Sequence, residues 1–337
     1  MNRSVVLSRY PEGPIAESDF SLRSSARPEP GPGEFVMRNL YLSMDAGFRQ
    51  WMNADSGDNY LPGMALEKPV QSIVLGRVVE SRHPQYPEGA VVSARTGWEE
   101  YSLLDGSDLC NRLEVDPDLP LHDYMSTLGP TGMTAYFGLF DIGRPKAGEV
   151  LLVSAAAGAV GNVVGQLGRL RGCRCIGLTS TEDKAAWLVD EVGYHLALSR
   201  ERYPDLPAAL TGAAPEGIDI LFDNVGGAVL DAALGRLRER ARLVLCGAIA
   251  QYESSKPEPV YNTWELITKR ATASGFMFSD YVEQFPTAIA ELGGYLKSGA
   301  LRSHNQIYEG LDQAPRAFCE MMHGRSRGKC LVRLREA

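Results

Sequence analysis

The residues from Glu149 to Gly165 combine types and spacing that suit a phosphorylated ligand. Four apolar and four small residues are followed by glycines at positions 158, 161 and 165. This order predicts a strand, a tight turn and a helix whose first N–H groups and dipole favour the charge of a pyrophosphate. Gly158 and Gly161 would let the backbone approach the phosphates, and Gly165 would let the helix pack closely on a sheet. The motif indicates a dinucleotide site, with an ordinary strand, turn and helix as the alternative because the three-glycine fingerprint is incomplete.

The end of the next predicted strand, Arg174–Thr179, bears on which dinucleotide would bind. An NAD site usually has a carboxylate at this strand end, whereas this chain has Thr179 and Ser180, with Lys184 one turn into the next helix. Hydroxyls and a cation suit a 2′-phosphate, so the pattern favours NADPH over NADH. The acidic pair Glu182–Asp183 is a counter-signal, although carboxylates in a first helical turn stabilise the helix dipole. The alternative for Lys184 is a solvated surface charge.

The cysteines and histidines lack the spacing of a metal site. Cys173 and Cys175 fall on one predicted strand, where alternate residues share a face, and the six cysteines contain no C-x-x-C pair. That geometry suits neither a tetrahedral zinc site nor an unstrained disulfide, so the cysteines are interpreted as reduced thiols. Because the five histidines are scattered, the sequence predicts no metal.

The composition predicts a globular chain of two domains. Its 337 residues are 44% hydrophobic and 23% charged, and a net charge of -8 argues against nucleic acid as the main partner. No apolar run reaches the roughly 18 residues of a membrane span, and the first twenty residues lack the apolar core of a signal peptide. We therefore expect a cytoplasmic protein that neither enters a membrane nor binds nucleic acid.

The pattern of elements changes near residue 120. Before it, short predicted strands at Glu34–Arg38, Ser72–Glu80 and Gly89–Arg95 alternate with Gly/Pro turns, which is typical of a β domain. After it, Tyr124–Phe140 is predicted as a helix. Apolar runs then alternate with amphipathic stretches, which predicts a parallel, doubly wound sheet. Those runs are Val150–Val153, Cys173–Leu178, Ile218–Phe222, Leu243–Cys246 and Gly275–Phe278, and a final helix and strand are predicted at Pro315–Met322 and Lys329–Leu334.

Motifs along nearly the whole chain resemble zinc-independent medium-chain dehydrogenase/reductases. The resemblance is to the branch of leukotriene hydroxydehydrogenase/prostaglandin reductases, plant double-bond reductases and bacterial NADPH-dependent enone reductases. The motifs occur in the expected order and are Asn39–Asp45, Gly97–Tyr101, Gly132–Gly138, Ser154–Gly161, Phe222–Gly227, Cys246–Tyr252 and Gly275–Phe276.

The resemblance implies an α/β fold with three segments. These are a GroES-like substrate domain over 1–124, a Rossmann NADP-binding domain over 125–298, and a return to the first domain over 299–337. The active site would lie in the cleft between the domains, where the open-sheet rule also expects ligands. Zinc would not be required.

The resemblance also implies cofactor-binding residues. Asn224 could alternatively hold the Asn-Val-Gly-Gly turn, and Phe276 could alternatively be core packing. The phosphate turn would be Ala159, Val160, Gly161 and Asn162 beside Gly158, the 2′-phosphate would meet Ser180 and Lys184, and the rest of the cofactor would meet Thr134, Asn224, Cys246, Gly247, Ala248, Ile249 and Phe276.

The implied reaction reduces a carbon–carbon double bond conjugated to a ketone or aldehyde. NADP(H) would deliver hydride to the β-carbon, and the resulting enolate would be protonated at the α-carbon. A preorganised donor at the carbonyl oxygen would lower the barrier, and apolar walls would exclude water. Quinone reduction, or nucleotide binding with little catalysis, are the alternatives.

The chain departs from its relatives where catalysis is expected. Gly47 and Thr268 stand where relatives often have tyrosines, and Arg200 and Ser326 stand where they often have Tyr and Asn near the cofactor. Leu66–Ser72 lacks the usual glycine-rich form. We expect a larger or differently polar substrate pocket.

Two residues are predicted as catalytic. Tyr252 is the phenol expected near the nicotinamide, where it would donate a hydrogen bond to the enolate or only pack against its loop. Thr268 would contribute a hydroxyl directly or through water.

A homodimer is also implied by the resemblance. It would form by edge-to-edge pairing of the Rossmann sheets near Gly275–Ser279, because an edge strand carrying Phe276 and Phe278 is otherwise an exposed pairing template.

Overall fold

The computed structural model describes residues 1–56, 61–253, 256 and 258–334, and the chain forms two compact units. The first unit comprises Met1–Met125, Asn305–Arg325 and Cys330–Ala337, and the second comprises Ser126–His304 and Ser326–Lys329. Each unit is therefore assembled from separate stretches of the sequence.

The strands and helices of the described residues are numbered in chain order. The strands are β1 Asn2–Leu7, β2 Phe20–Ser25, β3 Phe35–Ser43, β4 Gln71–Ser81, β5 Val91–Gly97, β6 Tyr101–Leu104, β7 Asn111–Arg112, β8 Val150–Val153, β9 Arg174–Thr179, β10 Leu196–Ser199, β11 Ile218–Asp223, β12 Leu237–Leu245, β13 Thr272–Gly275, β14 Asn305–Glu309 and β15 Lys329–Arg333. The α-helices are α1 Pro130–Phe137, α2 Ala159–Leu170, α3 Glu182–Trp187, α4 Leu206–Ala213, α5 Gly227–Leu234, α6 Trp264–Thr268, α7 Phe285–Ser298 and α8 Ala314–Met322. Short 3-10 or π segments are Glu17–Asp19, Ala46–Trp51, Leu121–Met125, Gly138–Gly143, Leu188–Val192, Ile249–Gln251, Phe278–Gln284 and Leu311–Gln313.

The second unit is built on a parallel sheet of strand order β10-β9-β8-β11-β12-β13. Every neighbouring pair in it is parallel. The chain starts at β8 near the middle, winds to β10 at one edge and then returns to reach β13 at the other, which is the doubly wound arrangement. All four residues of β8 are buried, as expected for a strand with helices on both faces. The predicted α/β fold is confirmed.

The apolar core on one face of this sheet joins it to helices α4 and α5. Leu210 of α4 and Leu234 of α5 belong to the same buried cluster as Leu152, Ile176 and Leu221 of the strands. Burial of side chains of this size contributes about 1.5–3 kcal/mol each, so this packing holds the strands in register.

The first unit is dominated by antiparallel strands. Its larger sheet has the order β14-β15-β3-β4-β5-β7, with β6 on β3, and β1 and β2 form a separate pair. The last strand, β15, pairs antiparallel with β3. The end of the chain therefore returns to the β-rich N-terminal unit.

Two predicted elements differ from the structure. The helix predicted over Tyr124–Phe140 is interrupted, because Gly129 is extended before Pro130 and α1 begins only there. The strand predicted over Gly275–Phe278 instead ends at Gly275, and a 3-10 segment starts at Phe278.

None of the helices in the described ranges is both long and apolar enough to span a membrane. Within those ranges, no group of three or more His, Cys, Asp or Glu side chains is placed to hold a metal ion.

Candidate active site

The turn between β8 and α2 brings backbone N–H groups to the carboxyl edge of the parallel sheet. Gly158 is the N-cap of α2, and Gly158, Ala159 and Val160 are all half-buried. The first N–H groups of a helix have no carbonyl partner within it, so this turn suits an anion.

Two glycines allow neighbouring backbone and a buried ring to pack closely against the turn and the start of α2. A Cβ atom at Gly161 would lie 2.6 Å from the Ala155 carbonyl oxygen, and one at Gly165 would lie 2.1 Å from the Tyr194 ring. The Tyr194 hydroxyl donates to the Gly161 carbonyl oxygen at 2.6 Å. No larger residue fits at either position without moving backbone or a buried ring, and the tight turn has the form that a pyrophosphate requires.

Asn162 stabilises the start of α2 from inside. Its Nδ2 donates to the carbonyl oxygens of Gly158 and Ala159 at 2.8 and 2.9 Å. Its buried Oδ1 has no hydrogen-bond partner among the described residues. We infer that Asn162 shapes the turn through its amide nitrogen.

Lys184 lies on α3, directly after the end of β9. It is 8% exposed, and burial, together with the neighbouring Arg327 guanidinium, lowers the pKa of its ammonium to about 8. An ammonium in this position can bind an anion through charge-assisted hydrogen bonds. The solvated charge considered from the sequence does not describe this side chain.

The carboxylate of Glu182 is engaged by donors at the end of the neighbouring strand β10 and just beyond it. It accepts hydrogen bonds from the Ser199 hydroxyl at 2.7 Å and the Arg202 guanidinium at 2.9 Å. The half-buried Ser180 follows β9 and accepts the N–H of Glu201 at its carbonyl oxygen. The residues after β9 therefore present a hydroxyl and an ammonium, the donor set that fits a phosphorylated ribose.

A buried carboxylate organises the loop after β11. Asp223 accepts the Ser154 hydroxyl at 2.6 Å and the N–H groups of Val225 and Gly226 at 3.1 and 2.9 Å. The Ser154 hydroxyl accepts the Asn224 N–H at 2.8 Å, and Asn224 Nδ2 donates to the Ser154 carbonyl oxygen at 2.7 Å. Burial raises the pKa of Asp223, and these hydrogen bonds oppose that rise. Asn224 therefore takes part in the hydrogen bonds that hold this turn, which agrees with the alternative role given to it from the sequence. It also lies at the carboxyl edge of the parallel sheet.

The loop after β12 is joined to this turn by backbone hydrogen bonds. Cys246 and Gly247 both donate to the Asp223 carbonyl oxygen, and Ile249 donates to that of Asn224. Burial raises the pKa of the Cys246 thiol to about 12, so it stays protonated. The two loops form one continuous surface at the edge of the sheet.

Tyr252 points its hydroxyl back at this loop. The phenolic oxygen accepts the Ala248 N–H at 3.1 Å, and burial raises the pKa of the phenol. It remains protonated at neutral pH. A phenol that accepts one hydrogen bond becomes a better donor through its own O–H, because hydrogen bonds polarise one another.

Thr134 and Phe276 lie on neighbouring elements. The Thr134 hydroxyl donates to the Pro130 carbonyl oxygen within α1. A Cβ atom at Gly138, one turn further on, would lie 2.6 Å from the Phe276 ring and 2.8 Å from the Phe222 ring. The half-buried Phe276 therefore packs against the end of α1 just beyond the carboxyl end of β13.

Thr268 does not lie with the other predicted site residues. It ends α6, before β13 begins, and is therefore at the amino edge of the parallel sheet. Its exposed hydroxyl bonds to the carbonyl and carboxylate oxygens of Glu265 at 3.3 and 3.1 Å. The predicted catalytic role of Thr268 is withdrawn because that edge is opposite the phosphate turn.

Comparisons with known proteins give the same picture. Residues 3–111 match a family model described as the N-terminal domain of oxidoreductase, and residues 159–293 match one described as zinc-binding dehydrogenase. The chain is 36% identical to a 2-alkenal reductase (NADP(+)-dependent) of Nicotiana tabacum and 35% identical to a (+)-pulegone reductase of Mentha piperita. These alignments cover 98% of this chain, and 97% and 98% of the respective relatives.

A solved structure agrees over the whole chain. CurA of Vibrio vulnificus, in complex with NADPH, superposes with a TM-score of 0.91 at 34% identity, covering 99% of this chain and 100% of that one. The chain belongs to the zinc-independent enone reductase branch of the medium-chain dehydrogenase/reductases. The predicted family and the predicted oxidoreductase class are confirmed.

Sequence reasoning missed some residues of this edge as functional candidates. The sequence did contain a signal for Asp223 as a candidate, since it is an acidic residue at the end of an apolar predicted strand and directly precedes Asn224. Arg327 had no local signal, because only folding brings it beside Lys184.

Proposed function

We propose that this enzyme uses NADPH to reduce the carbon–carbon double bond of an α,β-unsaturated ketone or aldehyde. The observation that carries the proposal is the buried ammonium of Lys184 at the end of β9, on the same sheet edge as the phosphate turn and Tyr252. The relatives named 2-alkenal reductase and (+)-pulegone reductase support the choice of substrate class.

Different residues of the carboxyl edge are proposed to bind different parts of the coenzyme. The α2 N-terminus at Gly158–Asn162 would hold the pyrophosphate, and Ser180 and Lys184 would hold the ribose 2′-phosphate. Asn224, the loop from Cys246 to Ile249, Thr134 and Phe276 would flank the nicotinamide, which supplies the hydride when NADPH is bound.

Tyr252 is proposed to hold a proton for the substrate oxygen. Negative charge grows on that oxygen as the β-carbon accepts hydride, and a fixed O–H donor stabilises it. The Ala248 N–H orients the phenol, and burial keeps it protonated.

Tyr252→Phe should lower kcat about tenfold while the Kd for NADPH changes little, since about 1.4 kcal/mol of transition-state stabilisation is lost. Stopped-flow or steady-state kinetics with a simple enone, beside fluorescence titration of NADPH, measures both. Tyr261→Phe is the matched control, because that tyrosine is 77% exposed and should leave both values unchanged. An unaltered kcat in Tyr252→Phe would limit Tyr252 to packing.

A substrate panel tests the reaction itself. NADPH oxidation should be faster with α,β-unsaturated ketones and aldehydes than with quinones, and NMR of the product should show a saturated α–β bond with the carbonyl intact. Preferential quinone turnover would favour the quinone reductase alternative. Tight NADPH binding without turnover of any panel member would favour the weakly catalytic alternative.

A homodimer and a cytoplasmic location also stay proposals. The strand β13 pairs with β12 and ends the sheet, and the preceding segment exposes Trp264 and Ile267 at 66% each. Exposed apolar side chains beside an open strand edge suit pairing with a second copy. Light scattering that gives a monomer mass at micromolar concentration would contradict the dimer.

A further inference from the structure

The segment Ser326–Lys329 is attached to the phosphate turn of the second unit. The Gly328 N–H donates to the Ala157 carbonyl oxygen at 2.9 Å, and Gly328 forms a parallel bridge with Gly158. Gly328 has a φ of +66°, a conformation that favours glycine, and it is buried. The position of this segment beside the N-cap of α2 is therefore closely defined.

The same segment also approaches the helix that carries Lys184. The Lys329 N–H donates to the His304 carbonyl oxygen at 2.8 Å, and a Cβ atom at Gly328 would lie 2.1 Å from that oxygen. The His304 ring meets the Trp187 ring edge-on, with centroids 5.1 Å apart, and Trp187 is the last residue of α3, the helix that carries Lys184. Gly328 thus contacts the phosphate turn, and Lys329 is linked to α3 through His304.

Arg327 is the exposed residue of this attached segment, between the buried Ser326 and Gly328. Its guanidinium is close enough to Lys184 to act with burial in lowering the pKa of the ammonium. Two cations held together repel, and a dianion bound between them relieves the repulsion. A phosphate monoester carries about -1.5 to -2 charges at neutral pH, and guanidinium matches its oxygens with a planar fork of donors.

We propose that Arg327 is a second cationic ligand of the ribose 2′-phosphate and, with Lys184, determines the preference for NADPH over NADH. The inference rests on the proposed use of NADPH and goes beyond it by assigning a specificity residue from the far end of the chain. In this pair Lys184 is the buried cation and Arg327 is the exposed one.

The test uses binding of fragments to the full-length protein. Adenosine 2′,5′-bisphosphate carries the 2′-phosphate, and adenosine 5′-monophosphate lacks it. In Arg327→Gln, calorimetry should show about a tenfold rise in the Kd of the bisphosphate and an unchanged Kd for the monophosphate. The salt dependence of bisphosphate binding should also become shallower, because one charged contact is lost.

Two further variants keep the result interpretable. Arg325→Gln removes a neighbouring exposed guanidinium outside the second unit and should leave both Kd values unchanged. Arg327→Lys keeps the charge without the fork and should give an intermediate loss, which a general disturbance of the fold would not do.

The outcomes separate this inference from the proposed function. If Arg327→Gln keeps the full preference for the bisphosphate, or loses affinity for both fragments equally, Arg327 is not a 2′-phosphate ligand. If the unmodified enzyme itself fails to prefer the bisphosphate, the proposed NADPH use fails first.

Discussion

Lys184→Met is expected to weaken NADPH binding about 100-fold and to leave NADH binding within about twofold of the unmodified enzyme. A hydrogen bond between charged groups contributes up to about 3 kcal/mol, and each 1.4 kcal/mol is about tenfold in Kd. Because NADH has no 2′-phosphate, the loss should be confined to NADPH. Calorimetric titration with both coenzymes measures this selectivity, and an equal loss for both would contradict the role of Lys184.

The same substitution should change how the stability of the protein without its coenzyme depends on pH. Burial and Arg327 lower the pKa of Lys184 from 10.5 to about 8. Between pH 8 and 10.5 the folded protein therefore binds fewer protons than the unfolded chain, so its stability rises with pH across that window. Methionine does not titrate, so Lys184→Met should lose this rise of up to about 3 kcal/mol.

Urea unfolding at pH 7 and at pH 9.5 checks the sign. The stability gained between pH 7 and pH 9.5 should be smaller in Lys184→Met than in the unmodified protein. Lys269→Met is the matched control, since Lys269 lies at the amino edge of the same sheet and should change neither selectivity nor the pH trend. An unchanged gain in stability between pH 7 and pH 9.5 in Lys184→Met would contradict the lowered pKa of Lys184.

Gly161→Ala is expected to lower kcat/KM with NADPH about 100-fold and to weaken binding of both coenzymes. The new Cβ atom would lie 2.6 Å from the Ala155 carbonyl oxygen and 2.6 Å from the Ala156 Cα, and backbone atoms cannot give way as a flexible side chain can. The start of α2 must then move, and misplacement by about 1 Å costs about 100-fold in rate. Overpacking should also cost about 1–3 kcal/mol of stability.

Gly294→Ala provides the control for Gly161→Ala. Gly294 is exposed on α7 of the same unit, and a Cβ atom there would meet nothing within 4 Å. Alanine in an exposed helix should stabilise the protein by up to about 1 kcal/mol and leave coenzyme binding unchanged. If Gly161→Ala bound both coenzymes normally, the close approach at the turn would not matter for binding.

The parallel sheet and its phosphate turn were predictable because their signals are local. The run Val150–Val153 is apolar throughout since both faces of β8 are covered, and the glycines at 158 and 161 follow from the tight turn into α2. Element limits were less predictable. The Gly129–Pro130 step interrupts the helix expected over Tyr124–Phe140, and β13 ends at Gly275 where the chain turns into a 3-10 segment.

The edge of the sheet at which a loop side chain lies was not predictable from the local sequence. Thr268 and Tyr252 both belong to the connection between β12 and β13, yet Tyr252 stays at the carboxyl edge and Thr268 reaches the amino edge. The connection must run back along the sheet before a parallel strand can start, so residues along it are distributed between the two edges. The number of residues between Tyr252 and Thr268 does not show at which residue the chain passes from the carboxyl edge to the amino edge.

The sequence by itself determined the family, the doubly wound sheet, the glycine turn and the hydroxyl and ammonium at the end of β9, because each is written in short-range residue patterns. Only the tertiary structure decided that Lys184 is buried, that Asp223 ties Ser154 to the Asn224 turn, and that Arg327 lies beside Lys184. The burial of a polar side chain and the proximity of two charges depend on packing between distant segments, and neither follows from the local residue pattern.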